Sequence, residues 1–213
     1  MFITFEGPDG SGKTSQVLAL GEFLEREGYP VLTTREPGGT EIGDQIRAIL
    51  FNLKNTAMRP RTETLLFLAS RAQLVEEVIR PHLERGGIVL GDRYADSTLA
   101  YQGYGHENDL EQLRCLLEFA TGGLKPDLTL LFDLDIEEGL RRRAGGGNWN
   151  RLDAYGLEFH QRVRDGYHRL AKEEPQRWVI INAEQPPEKV QAAVREVVMK
   201  RLRVQSETRG GNA

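Results

Sequence analysis

Short apolar runs alternate along the chain with longer segments in which apolar residues recur at helical spacing. The short runs predict five strands, at residues 2–6, 29–33, 88–90, 128–132 and 178–181. The longer segments predict helices at 13–26, 41–50, 61–85, 110–120, 136–143, 154–173 and 187–204, with Pro81 expected to bend or end the third. Because the strands are apolar on both faces, the pattern favours an α/β fold with a five-stranded parallel sheet covered by helices on both faces.

The chain has 213 residues, which is enough for one large domain with a full core. We expect a single domain over residues 1–204. The remaining residues, 205–213, are polar and rich in glycine, and they predict a disordered tail.

Composition narrows the choice of partners and compartment. The net charge of −4 argues against nucleic-acid binding, and no run of about 18 apolar residues predicts a membrane span. The N-terminus also lacks the basic and apolar regions of a signal peptide, so we expect a cytoplasmic protein. The single cysteine, Cys115, lies in an apolar helical run and is expected in the core.

The first predicted strand is followed by a phosphate-binding motif and then by a helix. The segment matches G-x-x-x-x-G-K-[ST] and consists of Gly7, Pro8, Asp9, Gly10, Ser11, Gly12, Lys13 and Thr14. Its glycines leave backbone N–H groups open to phosphate oxygens, and the helix N-terminus adds a positive dipole end. Lys13 supplies a charge for the β- and γ-phosphates, and Thr14 a hydroxyl for Mg²⁺. The motif predicts ATP binding with magnesium.

Asp9 is an unusual member of such a loop, because phosphates repel a carboxylate. It is expected to point toward a sugar hydroxyl or toward Mg²⁺, or else to stabilise the loop through a hydrogen bond.

Charged side chains follow the next two strands, at the edge of the sheet where α/β proteins bind ligands. Arg35 follows one strand, and Asp92 and Arg93 follow the other. The two arginines together predict a clamp for one further phosphate, although each alone is also compatible with a solvated surface charge. Asp92 ends an apolar strand and is a second candidate magnesium ligand.

Phe67 and Arg71 are four residues apart on a predicted helix and so share one face. An aromatic ring and a guanidinium can stack on a base and bond its edge, and a donor aimed at O4 of thymine would reject cytosine. Spacing alone leaves a second reading equally open, in which Phe67 belongs to the core.

Taken together, these motifs resemble bacterial thymidylate kinases over residues 1–200. The resemblance is carried by residues 7–14 and 34–40, by Phe67, Ala69, Arg71 and Gln73, by residues 92–102 with Asp92, Arg93, Tyr94, Ser97, Ala100, Tyr101 and Gln102, and by residues 126–129. It implies a P-loop NTPase fold of the nucleoside-monophosphate-kinase type, transfer of phosphate from ATP to dTMP, and a homodimer.

The resemblance also implies roles for single residues. Phe67 would stack on thymine and Arg71 would bond its edge, while Arg35 and Arg93 would hold the dTMP phosphate. Asp9 would face the sugar or the metal. The remaining pocket residues would line the base and sugar site, with Tyr101 pressing on the deoxyribose: Ser97, Thr98, Tyr101 and Gln102.

A lid is implied at residues 141–153, because the P-loop carries Gly10 where one branch of the family places its catalytic arginine. Arg142 and Arg151 align with lid arginines of the other branch. The glycine run after Ala144 replaces basic residues of relatives, which leaves open which arginine reaches the transferred group. The arginines at 141–143 also fit a solvated helix face.

The sequence therefore predicts ATP- and Mg²⁺-dependent phosphorylation of dTMP to dTDP, with Lys13, Asp9, Arg93, Arg142 and Arg151 as catalytic residues. Two alternatives stay open at this point. One is a nucleoside-monophosphate kinase with another base preference, and the other is an ATP-binding regulatory module without activity.

Overall fold

The computed structural model describes residues 1–146 and 149–210, and its centre is a sheet of five parallel strands in the order β2-β3-β1-β4-β5. The strands are β1 (Phe2–Glu6), β2 (Val31–Arg35), β3 (Ile88–Asp92), β4 (Leu128–Asp133) and β5 (Trp178–Asn182). The predicted fold class is confirmed, although β2 begins and ends two residues later than the sequence pattern indicated.

The helices cover both faces of this sheet. They are α1 (Lys13–Arg26), α2 (Glu41–Phe51), α3 (Pro60–Leu74), α4 (Arg80–Glu84), α5 (Ala95–Thr98), α6 (Leu110–Thr121), α7 (Ile136–Gly145), α8 (Leu157–Glu173) and α9 (Pro187–Gly210). Two π-helical segments, Val75–Ile79 and Leu99–Gly105, continue α3 and α5. Across the described residues, no helix is both long and apolar enough to cross a membrane.

Side-chain caps explain where three of the helices begin. Thr40 accepts a hydrogen bond from the N–H of Gly43 at the start of α2, and Asp109 and Asp135 cap α6 and α7 in the same way. Each cap satisfies backbone donors that have no partner in the first turn.

Three segments differ from the sequence-based expectation. α5 and the π-helical segment after it fill residues 95–105, where no element was predicted. The predicted helix at 61–85 changes to π-helical bonding before Pro81, which has no N–H for an α-helical bond. α9 extends to Gly210, so residues 205–210 of the expected disordered tail are helical, and residues 211–213 lie outside the described part.

The described core has three hydrophobic clusters, and the two largest lie on opposite faces of the sheet. Ile3 and Phe5 of β1 pack with Leu20 of α1 and Val194 of α9 on one face. Side chains of α6 and α8 pack around Leu131 on the other face. Cys115 belongs to none of these clusters. It is exposed, because the buried face of α6 is formed by Leu113, Leu117 and Ala120, and this corrects its expected place in the core.

The parallel register brings the predicted ligand-binding segments to one edge of the sheet. Phe5 of β1 and Arg35 of β2 are both paired with Asp92 at the end of β3. The loops that follow these three strands therefore open side by side.

Candidate active site

The loop between β1 and α1 has the conformation that its glycines allow. Gly7 has φ of 133° and Gly10 has φ of 80°, a region that side chains disfavour. A Cβ atom at Gly7 would meet the carbonyl of Phe132, and one at Gly10 would meet the carbonyl of Gly139. The loop is therefore packed too closely against β4 and α7 to accept larger residues at these positions.

Lys13 is buried within this loop and is held by oxygen atoms of the loop itself. Its Nζ donates to the carbonyls of Gly7 and Pro8, at 3.0 and 2.8 Å, and to the Ser11 hydroxyl at 3.2 Å. Burial and, next, the nearby charge of Arg93 lower the pKa of Lys13 to about 8. The ammonium group has few water contacts to lose when a phosphate approaches.

Thr14 and Asp92 meet at the floor of the cleft. The Thr14 hydroxyl donates to the Asp92 carboxylate at 2.5 Å. Both are hard oxygen ligands of the type that Mg²⁺ prefers. Among the described residues, no three acidic, histidine or cysteine side chains form a metal-binding group, so any ion there takes its other ligands from phosphate and water.

Arg93 lies at the centre of the site and is almost fully engaged. One terminal nitrogen, Nη1, donates to Gly7 O, Ser97 Oγ and Tyr167 OH at 3.0 to 3.1 Å. The other, Nη2, donates to Asp9 Oδ1 at 2.8 Å and to Tyr101 OH at 3.1 Å. Its backbone φ is 71°, in the left-handed region that is uncommon for a residue other than glycine.

Asp9 forms an ion pair with Arg93. Its second oxygen accepts from Tyr101 OH at 2.8 Å. Burial alone would raise the pKa of Asp9, but the charges of Arg93 and Lys13 and the two hydrogen bonds hold it well below its usual value. Asp9 is therefore ionised, and in this structure it stabilises the loop and the strand-end arginine.

Glu6 is linked to Arg93 through Ser97 and Tyr167, which bond to both, and it was not identified from the sequence. It is fully buried, and its oxygens accept from the Tyr94 N–H at 2.8 Å, from Ser97 Oγ at 2.6 Å and from Tyr167 OH at 2.9 Å. Burial and, next, the charge of Asp96 raise the pKa of Glu6 to about 7. The available signal was an acidic residue at the end of an apolar strand.

A cleft of about 830 Å³ brings most of the sequence-predicted residues together. Those that line it are Asp9, Gly10, Gly12, Lys13, Thr14, Arg35, Phe67, Asp92, Arg93, Ser97, Thr98, Tyr101, Gln102 and Arg142. Phe67 faces the cleft from α3, so its ring is available to a ligand. The remaining loop residues Gly7, Pro8 and Ser11 support Lys13 from behind.

Arg71 does not line this cleft. Its side chain is 1% exposed, and its guanidinium donates to Glu36 Oε2 at 2.8 Å, to Thr98 Oγ1 at 2.9 Å and to the Tyr94 carbonyl at 3.0 Å. Glu36 and Thr98 do line the cleft. Arg71 thus lies one layer behind the surface and holds two residues that form it.

Arg151 is also placed behind the cleft. Its three guanidinium nitrogens donate to the Leu50 carbonyl at 3.0 Å, to Tyr155 OH at 2.9 Å and to Glu63 Oε2 at 2.5 Å. Only about 9% of the side chain is exposed. The segment after α7 is therefore tied to α2 and α3 through this arginine.

Arg142 has the environment expected of a lid arginine. It lines the cleft, pairs with Glu138 at 2.6 Å and donates to the Ala183 carbonyl in the loop after β5 at 3.4 Å. Arg141 differs, because its side chain is 73% exposed and, among the described residues, pairs with Glu138 alone. Arg143 also lines the cleft and pairs with Asp153 at 3.1 Å.

Further cleft residues had no individual role assigned from the sequence, although some lie in the segment 34–40 or in the expected lid at 141–153. They come from α1, the loop after β2, α2, the end of α7 and the segment after it, and they are Ser15, Glu36, Pro37, Arg47, Phe51, Arg143, Gly146, Trp149, Asn150 and Leu152. Arg47 donates to the Pro37 carbonyl at 2.8 Å and stacks on Phe51. The one available signal was the spacing of four between Arg47 and Phe51, but the predicted helix ended at residue 50, whereas α2 extends to Phe51.

The cleft thus combines many cations with three carboxylates and several aromatic side chains, among them Phe67. Lys13, Arg35, Arg47, Arg93 and Arg142 all face the same space. This density of positive charge suits two phosphate-bearing ligands, and Phe67 suits the base of one of them.

Comparison with known proteins agrees with this geometry. The family model described as Thymidylate kinase matches residues 5–194. The thymidylate kinase of Roseiflexus castenholzii is 53% identical over 211 residues, which cover 93% of this chain and 92% of the relative. That of Thermomicrobium roseum is 55% identical over 194 residues, with 91% of each chain covered.

A solved structure gives the same result in three dimensions. The crystal structure of thymidylate kinase from Ehrlichia chaffeensis superposes with a TM-score of 0.77 at 36% identity, covering 93% of this chain and 98% of that one. The nucleoside-monophosphate-kinase type of the P-loop fold is thereby confirmed. The chain belongs to the thymidylate kinase family.

Proposed function

We propose that this protein transfers the γ-phosphoryl group of ATP to dTMP and releases dTDP and ADP. The observation that carries the proposal is that one cleft is lined both by a P-loop lysine and by a strand-end arginine that is bonded to Asp9. The acceptor is a phosphate oxygen that is already anionic at neutral pH, so the reaction needs no general base. Its main barrier is the repulsion between two anions, which positioning and positive charge reduce.

The donor side is assigned to the loop between β1 and α1. Lys13 would leave its carbonyl partners and contact the β- and γ-phosphates of ATP. Thr14 and Asp92 would hold Mg²⁺, which supplies charge neutralisation on the donor phosphates when bound. The loop after β5 lies within reach of Arg142, so this side of the cleft is assigned to the adenine.

The acceptor side is assigned to the ends of β2 and β3. Arg93 and Arg35 would bind the dTMP phosphate, with Arg93 exchanging Asp9 for a phosphate oxygen. Phe67 would stack on thymine, and Tyr101 would lie against the deoxyribose. Ser97, Thr98 and Gln102 would complete the pocket. Because Arg71 lies behind the surface, we assign it to holding Thr98 and Glu36 in place.

Of the lid arginines, Arg142 is assigned to the transferred phosphoryl group. It lines the cleft, whereas Arg151 is enclosed by Glu63, Tyr155 and the Leu50 carbonyl. The catalytic role first given to Arg151 is therefore replaced here by a positioning role.

The test measures ADP release with ATP and Mg²⁺ against dTMP, dUMP, dCMP, dGMP, AMP and UMP. We expect a clear preference for dTMP. A preference for another monophosphate would keep a P-loop kinase and remove the thymidylate assignment. If none of these monophosphates supports ADP release, a regulatory ATP-binding module would be favoured.

A homodimer is part of the same proposal. α3 and α6 pack together and present apolar side chains outward, with Leu65, Leu116 and Phe119 exposed by 52%, 40% and 88%. A second copy of the chain is the occupant that the family resemblance implies for such a face. The expected cytoplasmic location stays a prediction.

A further inference from the structure

Glu63 lies in the first turn of α3, behind the residues that line the cleft. Among the described carboxylates in that layer, it accepts the most hydrogen bonds. It is 1% exposed and does not line the cleft. One oxygen, Oε1, accepts from Gln102 Nε2 at 2.9 Å and from His106 Nε2 at 3.1 Å. The other, Oε2, accepts from Arg151 Nη2 at 2.5 Å and from Tyr155 OH at 3.2 Å.

This carboxylate is an acceptor only. Burial alone would raise its pKa, but the hydrogen bonds from His106, Gln102 and Arg151 outweigh that effect and lower the pKa below its usual value. An ionised carboxylate has no proton to donate. Any side-chain amide that faces it must therefore present its NH₂ group and turn its carbonyl oxygen away.

Gln102 is the amide that faces Glu63, and it also lines the cleft. With Nε2 on Glu63, its Oε1 has no donor among the residues that the structure describes. A carbonyl oxygen at this wall accepts a hydrogen bond from a ring N–H. Thymine and uracil carry such a proton at N3, whereas cytosine has a bare acceptor there and would be repelled.

We propose that the Glu63–Arg151 pair fixes the amide of Gln102 with its carbonyl toward the cleft, so that the acceptor pocket admits a base with an N3–H and excludes cytosine. The proposal rests on the proposed function, phosphorylation of dTMP. Glu63 and Arg151 are positioning residues, since neither lines the cleft. The proposal also explains why Arg151, an arginine of the lid segment, is enclosed by other residues and does not face the phosphate site.

Glu63→Gln separates this role from simple support of the fold. Arg151 needs an acceptor, so the single carbonyl of the new side chain would face Arg151 and its NH₂ group would face Gln102. Gln102 would then turn over and present its own NH₂ group to the cleft. We expect the ratio of kcat/KM for dTMP to that for dCMP to fall about tenfold or more.

The double variant Glu63→Gln with Arg151→Met removes the cation that forces this orientation. The carbonyl of the new side chain can then accept from Gln102 again, and its NH₂ group can donate to Tyr155 OH. We expect the ratio of the two kcat/KM values to recover most of its wild-type value. A purely structural role predicts that the ratio follows thermal stability, so melting temperatures are measured for every variant.

Asp96→Asn is the matched control. Asp96 also pairs with an arginine that is 11% exposed, Arg177, at 2.6 Å, and neither lines the cleft. This control is expected to lose stability and to keep the wild-type ratio. An unchanged ratio in folded Glu63→Gln, or an equally low ratio in the double variant, would overturn the proposal.

The orientation of the Gln102 amide can also be measured directly in the wild-type protein. In ¹⁵N-labelled protein, the Gln102 side-chain NH₂ protons, identified by their loss in Gln102→Leu, should exchange slowly with water because they face buried Glu63. Rapid exchange would place the NH₂ group in the cleft and contradict the proposal. If wild-type protein does not use dTMP, the proposed function fails, and this exchange measurement still decides the orientation of the amide.

Discussion

At the scale of single residues, the backbone of Arg93 shows how the site is held. Its φ of 71° is a left-handed conformation that costs a non-glycine residue roughly 1–2 kcal/mol. The hydrogen bonds on either side hold it there. The Arg93 N–H donates to Phe5 O at 3.0 Å, and the next N–H, of Tyr94, donates to Glu6 at 2.8 Å. This turn aims the guanidinium back across the P-loop.

The buried carboxylate of Glu6 predicts a pH dependence of stability. Its pKa in the folded protein is about 7, against an ordinary value of 4.5. The folded state binds the proton more tightly, so this contribution to stability is full below pH 4.5 and is lost as the pH rises through 7. Over this window the free energy of unfolding should fall by about 3 kcal/mol more in wild type than in Glu6→Gln.

Urea denaturation at pH 5 and pH 7.5 measures this difference. Glu22→Gln, at an exposed position of α1, serves as the control and should follow the wild-type profile. Parallel profiles for wild type and Glu6→Gln would show that Glu6 does not titrate in this range.

Strand ends, helical spacing and the family resemblance identified the arginines of the site but not the layer in which each lies. Arg71 lies four residues after Phe67 on α3, and Arg142 lies four residues after Glu138 on α7. One is 1% exposed behind the cleft, and the other lines it. The difference depends on which residues pack from other elements, Glu36 and Thr98 in the case of Arg71. No local pattern contains that information.

At the scale of elements, the strands and long helices were predictable because their apolar periodicity is strong. Residues 95–105 were missed because a four-residue helix and a π-helical segment have no such period. This segment carries Ser97, Thr98, Tyr101 and Gln102, which were found only through the family resemblance. The segment that carries these four pocket residues thus has the weakest secondary-structure signal in the sequence.

The end of α7 provides a test of the lid with neighbouring residues. Arg142 lines the cleft, while Arg141 points to solvent, and both pair with Glu138. Arg142→Met should lower kcat about 100-fold or more, because it removes a charge that stabilises the transferred group. Arg141→Met should change kcat less than about twofold, since an exposed ion pair contributes little.

Steady-state rates with saturating ATP and dTMP make this comparison, and melting temperatures check that both variants fold. Equal losses of kcat in the two variants would mean that the lid acts through its total charge. The assignment of Arg142 to the phosphoryl group would then be wrong.

At the scale of the whole molecule, the sheet order explains why one cleft serves both nucleotides. β1 lies at the centre, between β3 and β4, so the P-loop opens between the acceptor residues that follow β2 and β3 and the α7 segment that follows β4. Each side of the cleft is built by consecutive strand ends. Transfer between the two ligands therefore needs no movement of the sheet, only of the segments above it.

The outward face of α3 and α6 carries the last prediction, because exposed apolar surface of this kind is typical of an interface. Phe119 is 88% exposed and lies one helical turn from Leu116, which is 40% exposed. Phe119→Glu would place a charge inside the proposed dimer contact, where it must lose water without gaining a partner. We expect sedimentation velocity to show a dimer for wild type and a monomer for Phe119→Glu. Leu18→Glu, at a 55% exposed position of α1, should stay dimeric, and a wild-type monomer would contradict the proposed assembly.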